Sequence, residues 1–398
     1  MYLQNIIKTF FSKTVILLLN FLMVVLTTHL WGAEGRGVIS ILIADMAIIS
    51  IFNNIIGGSS ITYLTPKRGF AQLLIPAYTW VFFSTLAGVF LFSVILNHDS
   101  FLFLAALTLL TSLMNVNLQV FVGKENIKLY NLFTILVPAF IIGFTLFFKY
   151  FFHILTINAY IYGYMSGQFV VFVLSWFSVR PYVSDQKMRF SMGTFNEAFH
   201  YGWRNEMSNF LQFLNYRLSY YFILYYIGLK SVGLFSVGIA ISEAIWVICR
   251  SISTVQFAKL INTEDLKLSI QITQKSARVS IIASLFFVII FLCIPSIFYK
   301  FIFGKEFTEV KMLFIFLTPG VLSLAFSNIY GHFFAARNEL RVLIVKSFVG
   351  LVSTVILSVF FIPLWGLKGA CIVTSISYIS SSAYLIFIFY KNKLALRL

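Results

Sequence analysis

Arg217 stands 13 residues after Arg204 and 11 before Gly228, inside a long apolar run. At ~1.5 Å per helical residue it lies ~16 Å or more from either end of that run, too deep to stretch to water. An arginine left bare in lipid at such depth costs at least ~2.5 kcal/mol, so it must face a wet cavity or a partner. At about 100° per residue, Glu206, Phe210, Phe213, Arg217, Tyr220, Tyr221 and Leu224 fall on one helical face. A polar, aromatic stripe of this kind suits sugars and phosphate. The next apolar run carries Ser236, Glu243 and Arg250 at intervals of seven, again on one stripe. Glu243 and Arg250 are ~10 Å apart along the axis, too far for a direct bridge, which leaves two readings of Glu243 open. It pairs with Arg217 on the adjacent helix, or it binds a proton that drives transport. Arg217, Arg250, Glu243, Arg36, Asn209, Tyr220 and Tyr221 form the expected substrate-binding set. Glu243, Asp45 and His332 are the candidates for ion coupling. For each charge the competing reading is a static pair or hydrogen-bonded packing residue, as buried charges are commonly paired.

Other chemistries find little support. The sequence holds no Gly-x-x-x-x-Gly-Lys-Ser/Thr loop, no His-Glu-x-x-His and no dinucleotide fingerprint. Cys249, Cys293 and Cys371 lie singly in apolar stretches, far from metal-ligand spacing. No catalytic residue, metal or cofactor is expected, and the chain reads as a transporter rather than an enzyme.

The elements that must position these charges follow from composition. With 60% hydrophobic and 11% charged residues and a mean hydropathy of +0.93, the chain could not cover a soluble core with polar surface. It reads as an all-α polytopic membrane protein, since lipid offers the backbone no hydrogen-bond partners and each span must satisfy its own amides. About 12 transmembrane helices are expected, near 12–31, 38–62, 73–96, 101–122, 128–150 and 156–178, then 204–228, 231–257, 276–302, 307–335, 340–362 and 366–390. Pro319 and Gly320 interrupt the tenth of these, and Tyr130, Tyr299 and Tyr390 at span ends fit an interfacial belt.

Basic residues test the count, because they should gather on the cytosolic side. Numbered by these spans, 21 fall on one side, among them Lys67, Arg68, Lys124, Lys128, Lys187, Arg189, Arg337, Arg341 and Arg397, and seven on the other. Both termini are therefore expected in the cytosol. The net charge of +16 is spread over short cytosolic loops, as anionic membrane lipids favour, so no nucleic acid is expected as a partner.

The chain also repeats itself. Gly32, Gly37 and Ser40 recur as Gly228, Gly233 and Ser236 at the same intervals, and Phe121, Lys124 and Lys128 recur as Phe334, Arg337 and Arg341. Residues 1–178 and 204–398 thus read as two six-helix bundles, with 179–203, which holds Pro181 and Asp185, as a cytosolic linker. Six spans per half makes the repeat parallel, with an axis along the membrane normal and a central cavity that rocking opens to either side.

Along nearly the whole chain the sequence resembles the polysaccharide flippases of the multidrug, oligosaccharidyl-lipid and polysaccharide exporter superfamily. The resemblance is carried by Gly57, Gly58, Ser59, Ser60 before Tyr63, Leu64 and Lys67; by Gly233 to Val237 before Glu243 and Trp246; and by Phe303 to Phe307. It continues through Pro319, Gly320, Ala336 and Arg337 to Pro363, Gly366, Gly369 and Ala370. It implies a bacterial inner-membrane protein that flips undecaprenyl-pyrophosphate-linked oligosaccharides from the cytosolic to the periplasmic leaflet for O-antigen, capsule or exopolysaccharide. The implied partners are that lipid-linked oligosaccharide, membrane lipids and other polysaccharide-assembly membrane proteins. One departure stands out: relatives often carry an acidic residue two positions after the arginine of the seventh span, whereas Leu218 and Ser219 follow Arg217 here. The alternatives are a cation-coupled multidrug antiporter of the same architecture, and a membrane polymerase or ligase for the same glycans. The second would place catalytic residues on a substantial outside loop, which the span assignment does not provide.

Overall fold

The structure, a computed structural model, describes residues 2–65, 70–96, 101–182, 191–263 and 265–395. Of the charges placed above, Lys67, Arg68, Asp185, Lys187, Arg189 and Arg397 lie outside the described residues. The described residues are helical almost throughout: α1 (Tyr2–Gly57), α2 (Ser59–Leu64), α3 (Phe70–Leu96), α4 (Phe101–Gly123), α5 (Ile127–Tyr150), α6 (Asn158–Val179), α7 (Met192–Tyr226), α8 (Leu229–Ile261), α9 (Leu266–Cys293), α10 (Ser296–Phe303), α11 (Val310–Ala336) and α12 (Leu340–Ala395).

These elements are not one-to-one with membrane crossings. Among the described residues eight helical stretches are long and apolar enough to cross, and two of them, Phe11–Leu64 and Arg341–Lys391, run for 54 and 51 residues. Each is far longer than the ~20 residues that a bilayer needs, so each holds two crossings. The divisions fall at Gly32 and Gly366, whose φ of 65° and 56° break the helical path. Glycine reaches that left-handed region without a Cβ clash. With α6 and the more polar α7 added, the crossings number the expected twelve.

Boundaries differ from expectation where proline and glycine act. The segment near 276–302 is not one helix. Ile294 turns extended before Pro295, α9 stops at Cys293, and α10 follows as a separate short helix. Its Tyr299 packs inward against α9. It is buried at 3% exposure, donates to the Phe291 carbonyl at 2.6 Å, and burial pushes its hydroxyl pKa up to about 12. Conversely α11 runs unbroken through Pro319 and Gly320. The glycine serves close packing, since a Cβ there would lie 2.7 Å from Ser375 Cα. Ser375 Oγ meanwhile donates to the Phe316 carbonyl beside the proline. Helix α7 begins at Met192, inside the expected linker.

The chain forms two compact units, one of residues 1–23 and 42–210, the other of 24–41 and 211–398. In the first, α5 and α6 pack closely because Gly163 and Gly167 present bare backbone to Thr145 and Ile141. Its core includes Leu64, Val81, Val116, Phe121 and Phe133. Asn53 ties α1 to α3 and α4 by donating to Thr85 and Ser112 Oγ. In the second unit α11 lies among α8, α9 and α12, and its core includes Ile329, Phe333, Phe334, Leu385 and Phe389.

The sequence repeat has a structural counterpart. After Phe121 the α4–α5 turn places Glu125 at φ 56°, and after Phe334 the α11–α12 turn places Asn338 at φ 59°. In each turn the residue five after the phenylalanine bonds back to that phenylalanine's carbonyl, Asn126 to Phe121 and Glu339 to Phe334. The other repeated pair meets face to face within the second unit. A Cβ on Gly37 would lie 2.0 Å from the Leu229 carbonyl oxygen, and one on Gly233 would lie 1.8 Å from that of Ala33. Ala33 follows Gly32 as Leu229 follows Gly228, so the contact is reciprocal. The amide of Ala33, freed by the kink, donates to Glu306 Oε2 at 2.7 Å.

Candidate functional site

Helix α7 presents Arg217 from a backbone fixed on its other side. Two residues earlier Asn215 Oδ1 accepts from Ser377 Oγ at 2.8 Å. Gly350 makes room for it, since a Cβ there would stand 2.5 Å from Asn215 Nδ2. Ser219 bonds Thr374 at 3.3 Å. These bonds to α12 set the rotation of α7, and Arg217 then points toward α8.

There Arg217 Nη2 donates to Glu243 Oε1 at 2.6 Å, and Nη1 donates to Tyr220 Oη at 2.6 Å. The guanidinium carbon also lies 5.2 Å from the centre of the Tyr220 ring. Tyr220 is buried and meets the Phe235 ring edge-on at 5.5 Å, which holds its hydroxyl in place. The carboxylate partner of Arg217 is thus Glu243, one helix away. The two charged side chains keep 27% and 41% of their area exposed, so the pair is short and charge-assisted yet open on one side.

Arg36 joins the same neighbourhood from the 24–41 segment. Its Nε donates to Ser236 Oγ at 3.2 Å and its Nη1 to Thr27 Oγ1 at 3.4 Å. Ser236 follows Phe235, the ring that Tyr220 meets edge-on. Tyr221 is half-buried beside them on α7. The structure therefore brings together Arg217, Glu243, Tyr220 and Arg36.

Within the second unit it does not add Arg250 or His332 to that group. Arg250 is exposed on α8, about 10 Å further along the axis than Glu243. Asn209 belongs to the first unit, where its amide donates to Glu206 Oε2 at 3.2 Å. Asp45 is fully buried in that unit. His332 Nδ1 bonds the Asn328 carbonyl at 2.8 Å and its ring meets Phe257 edge-on.

An aromatic triangle beside the pair escaped the sequence reading. Tyr216, Trp246 and Tyr378 meet with ring centres 5.6 to 5.7 Å apart. Tyr216 precedes Arg217 and Trp246 lies one turn after Glu243, so helical spacing could have found two of the three. Tyr378 comes from α12, far along the chain, and no local signal marks it.

Comparison with known proteins bears on the family and the fold. The profile of the family described as "Polysaccharide biosynthesis protein" matches residues 73–312. No curated protein sequence matches the chain. Among solved structures the chain is similar to lipid II flippase MurJ in an inward closed conformation, with 16% identity and a TM-score of 0.77 over 97% of this chain and 87% of that one. It is similar to an inward-facing MATE family multidrug transporter of the MOP superfamily, with 14% identity and a TM-score of 0.79 over 96% and 95%. A MOP superfamily transporter from Pyrococcus furiosus, described as having a binding pocket of reverse polarity, gives 14% identity and a TM-score of 0.67 over 98% and 95%. At these identities the likeness establishes a shared fold.

Proposed function

The chain belongs to the polysaccharide biosynthesis protein family, and from that premise we propose that it carries undecaprenyl-pyrophosphate-linked oligosaccharides from the cytosolic to the outer leaflet of the bacterial inner membrane. One observation carries the reading: Arg217 and Glu243, paired at 2.6 Å deep in spanning helices, remain open on one side. Lipid would exclude such a pair, so its open side faces a polar path. A guanidinium with a planar fork of donors matches phosphate oxygens. Glu243 then acts as an internal stand-in for the anion. As the pyrophosphate arrives, Arg217 exchanges carboxylate for phosphate. On release the carboxylate takes the guanidinium back. The exchange keeps the arginine compensated throughout, while the polyprenyl tail stays in lipid. Lys230 and Lys368 then lie outside, and both termini in the cytosol.

The fold is shared with multidrug transporters, which makes the antiporter the second reading. An antiporter for cationic drugs needs a free carboxylate, and Arg217 occupies Glu243. The deciding experiment replaces Arg217 by Ala in the native host and measures surface polysaccharide, with the protein's membrane level as control. The proposal expects loss of polymer at unchanged protein level. Normal polymer with altered resistance to cationic drugs would favour the antiporter.

A further inference from the structure

The first unit contains two layers of neutral polar side chains within its spanning helices, and they differ in one respect. The inner layer is sealed. Asn53 bonds Thr85 and Ser112, Asn117 bonds Tyr78 and Ser175, and these two amides are fully buried. Such a layer joins helices in a medium without water. The outer layer is open. Thr62 Oγ1 donates to Gln119 Oε1 at 2.8 Å, Gln119 Nε2 to Asn115 Oδ1 at 3.4 Å, and Asn115 Nδ2 to Asn54 Oδ1 at 2.8 Å. All four side chains are half-buried rather than sealed. Each amide offers two N–H donors and a carbonyl with two lone pairs. The ladder uses one N–H each of Gln119 and Asn115, so donors remain on its open side.

An aromatic surface adjoins this ladder. Tyr63, next to Thr62 on α2, stacks on Tyr201 of α7 with ring centres 4.1 Å apart and planes 5° from parallel. The two rings remain 40% and 41% exposed. Ser59 of α2 accepts from Asn205 of α7 at 3.0 Å, which fixes the two helices beside each other.

We propose that this ladder of Asn54, Thr62, Asn115 and Gln119, with the Tyr63–Tyr201 pair, is a carbohydrate subsite that holds the glycan of the lipid-linked substrate. Three considerations carry the assignment. Accessible amides in a spanning segment face water or a polar ligand, because lipid would leave their donors unmet. Sugar hydroxyls both donate and accept, as primary amides do, and the ladder itself bears no charge with which to prefer phosphate. An exposed aromatic face with a polar rim takes the apolar C–H face of a pyranose ring while its hydroxyl stays wet.

This inference rests on the lipid-linked substrate of the proposed function, and the test separates the two. Full-length protein in nanodiscs is titrated with polyprenyl pyrophosphate bearing no sugar, and with a panel of the same lipid bearing a single glucose, galactose or N-acetylglucosamine. For at least one sugar, wild type should bind the sugar-bearing lipid about tenfold more tightly than the bare lipid, the gain of one or two hydrogen-bonded contacts. N115A/Q119A should bind both lipids alike, at the wild-type affinity for bare lipid, whereas Arg217→Gln should weaken both by a common factor. Wild type that binds bare lipid without any sugar preference would overturn the subsite alone. So would a double variant that keeps the preference, or one that weakens both lipids equally with a lowered melting temperature, the signature of helix adhesion. Wild type that binds neither lipid would overturn the substrate reading, and the subsite with it.

Discussion

Arg217 is held by two different acceptors, and they make separable contributions. Glu243 supplies charge through Nη2, and Tyr220 supplies a hydroxyl through Nη1. Arg217→Ala should abolish export. Arg217→Lys keeps the charge but loses the planar fork, so export should fall by about tenfold or more. Tyr220→Phe removes one acceptor and leaves the ion pair, so export should fall about three- to tenfold, less than for Arg217→Ala. Quantified surface polymer at matched membrane level checks all three. Arg217 and Glu243 were legible in the sequence because lipid penalises charge, which makes a charge inside an apolar run conspicuous. The bond between them was one of two open readings. Asn215, Ser377 and Tyr378, which orient or surround the pair, were not legible, because their meeting depends on contacts between distant helices. The amides of the first unit were passed over for another reason: a neutral polar residue in a span is common, and only the structure separates the sealed layer from the open one.

The helices owe their boundaries to a few residues with restricted or unusual backbone freedom. Glycines at 32 and 366 divide two long helical runs, while Pro295 separates α9 from α10. The repeated Gly-x-x-x-x-Gly spacing was readable, and its consequence, the reciprocal seating of Gly37 on Leu229 and Gly233 on Ala33, was not. That seating yields a direct prediction. Gly233→Ala places a methyl group where the Ala33 carbonyl stands, and overpacking of this kind costs roughly 1–3 kcal/mol. The melting temperature of the purified protein should fall by several degrees. Gly143→Ala is the control, since nothing lies within 4 Å of its Cβ position inside α5. It should leave stability unchanged or raise it slightly, because alanine favours helix over glycine by ~1 kcal/mol. Equal losses in both variants would deny the hairpin contact its importance.

At the scale of the molecule, hydropathy predicts the crossings and the basic residues predict their orientation. Both are properties summed over many positions and survive errors of several residues at each end. The division into units was less legible, since residues 24–41 leave the first unit to pack with the second, and no composition shift announces it. Orientation is open to direct test in a Cys293→Ser background, which removes the exposed thiol. Single cysteines at Lys230 and Lys368 should react with a membrane-impermeant maleimide in spheroplasts, and those at Lys124 and Arg337 should react only after lysis. The central claim, that the chain moves a lipid-linked glycan between leaflets, is tested most directly in proteoliposomes containing polyprenyl-pyrophosphate-linked oligosaccharide isolated from the native host. Accessibility of the glycan to an impermeant sugar-modifying enzyme outside the vesicles reports its leaflet. The account predicts that wild-type protein renders the inner-leaflet pool accessible within minutes, and that Arg217→Ala vesicles match protein-free ones. Equal accessibility in all three preparations would contradict it.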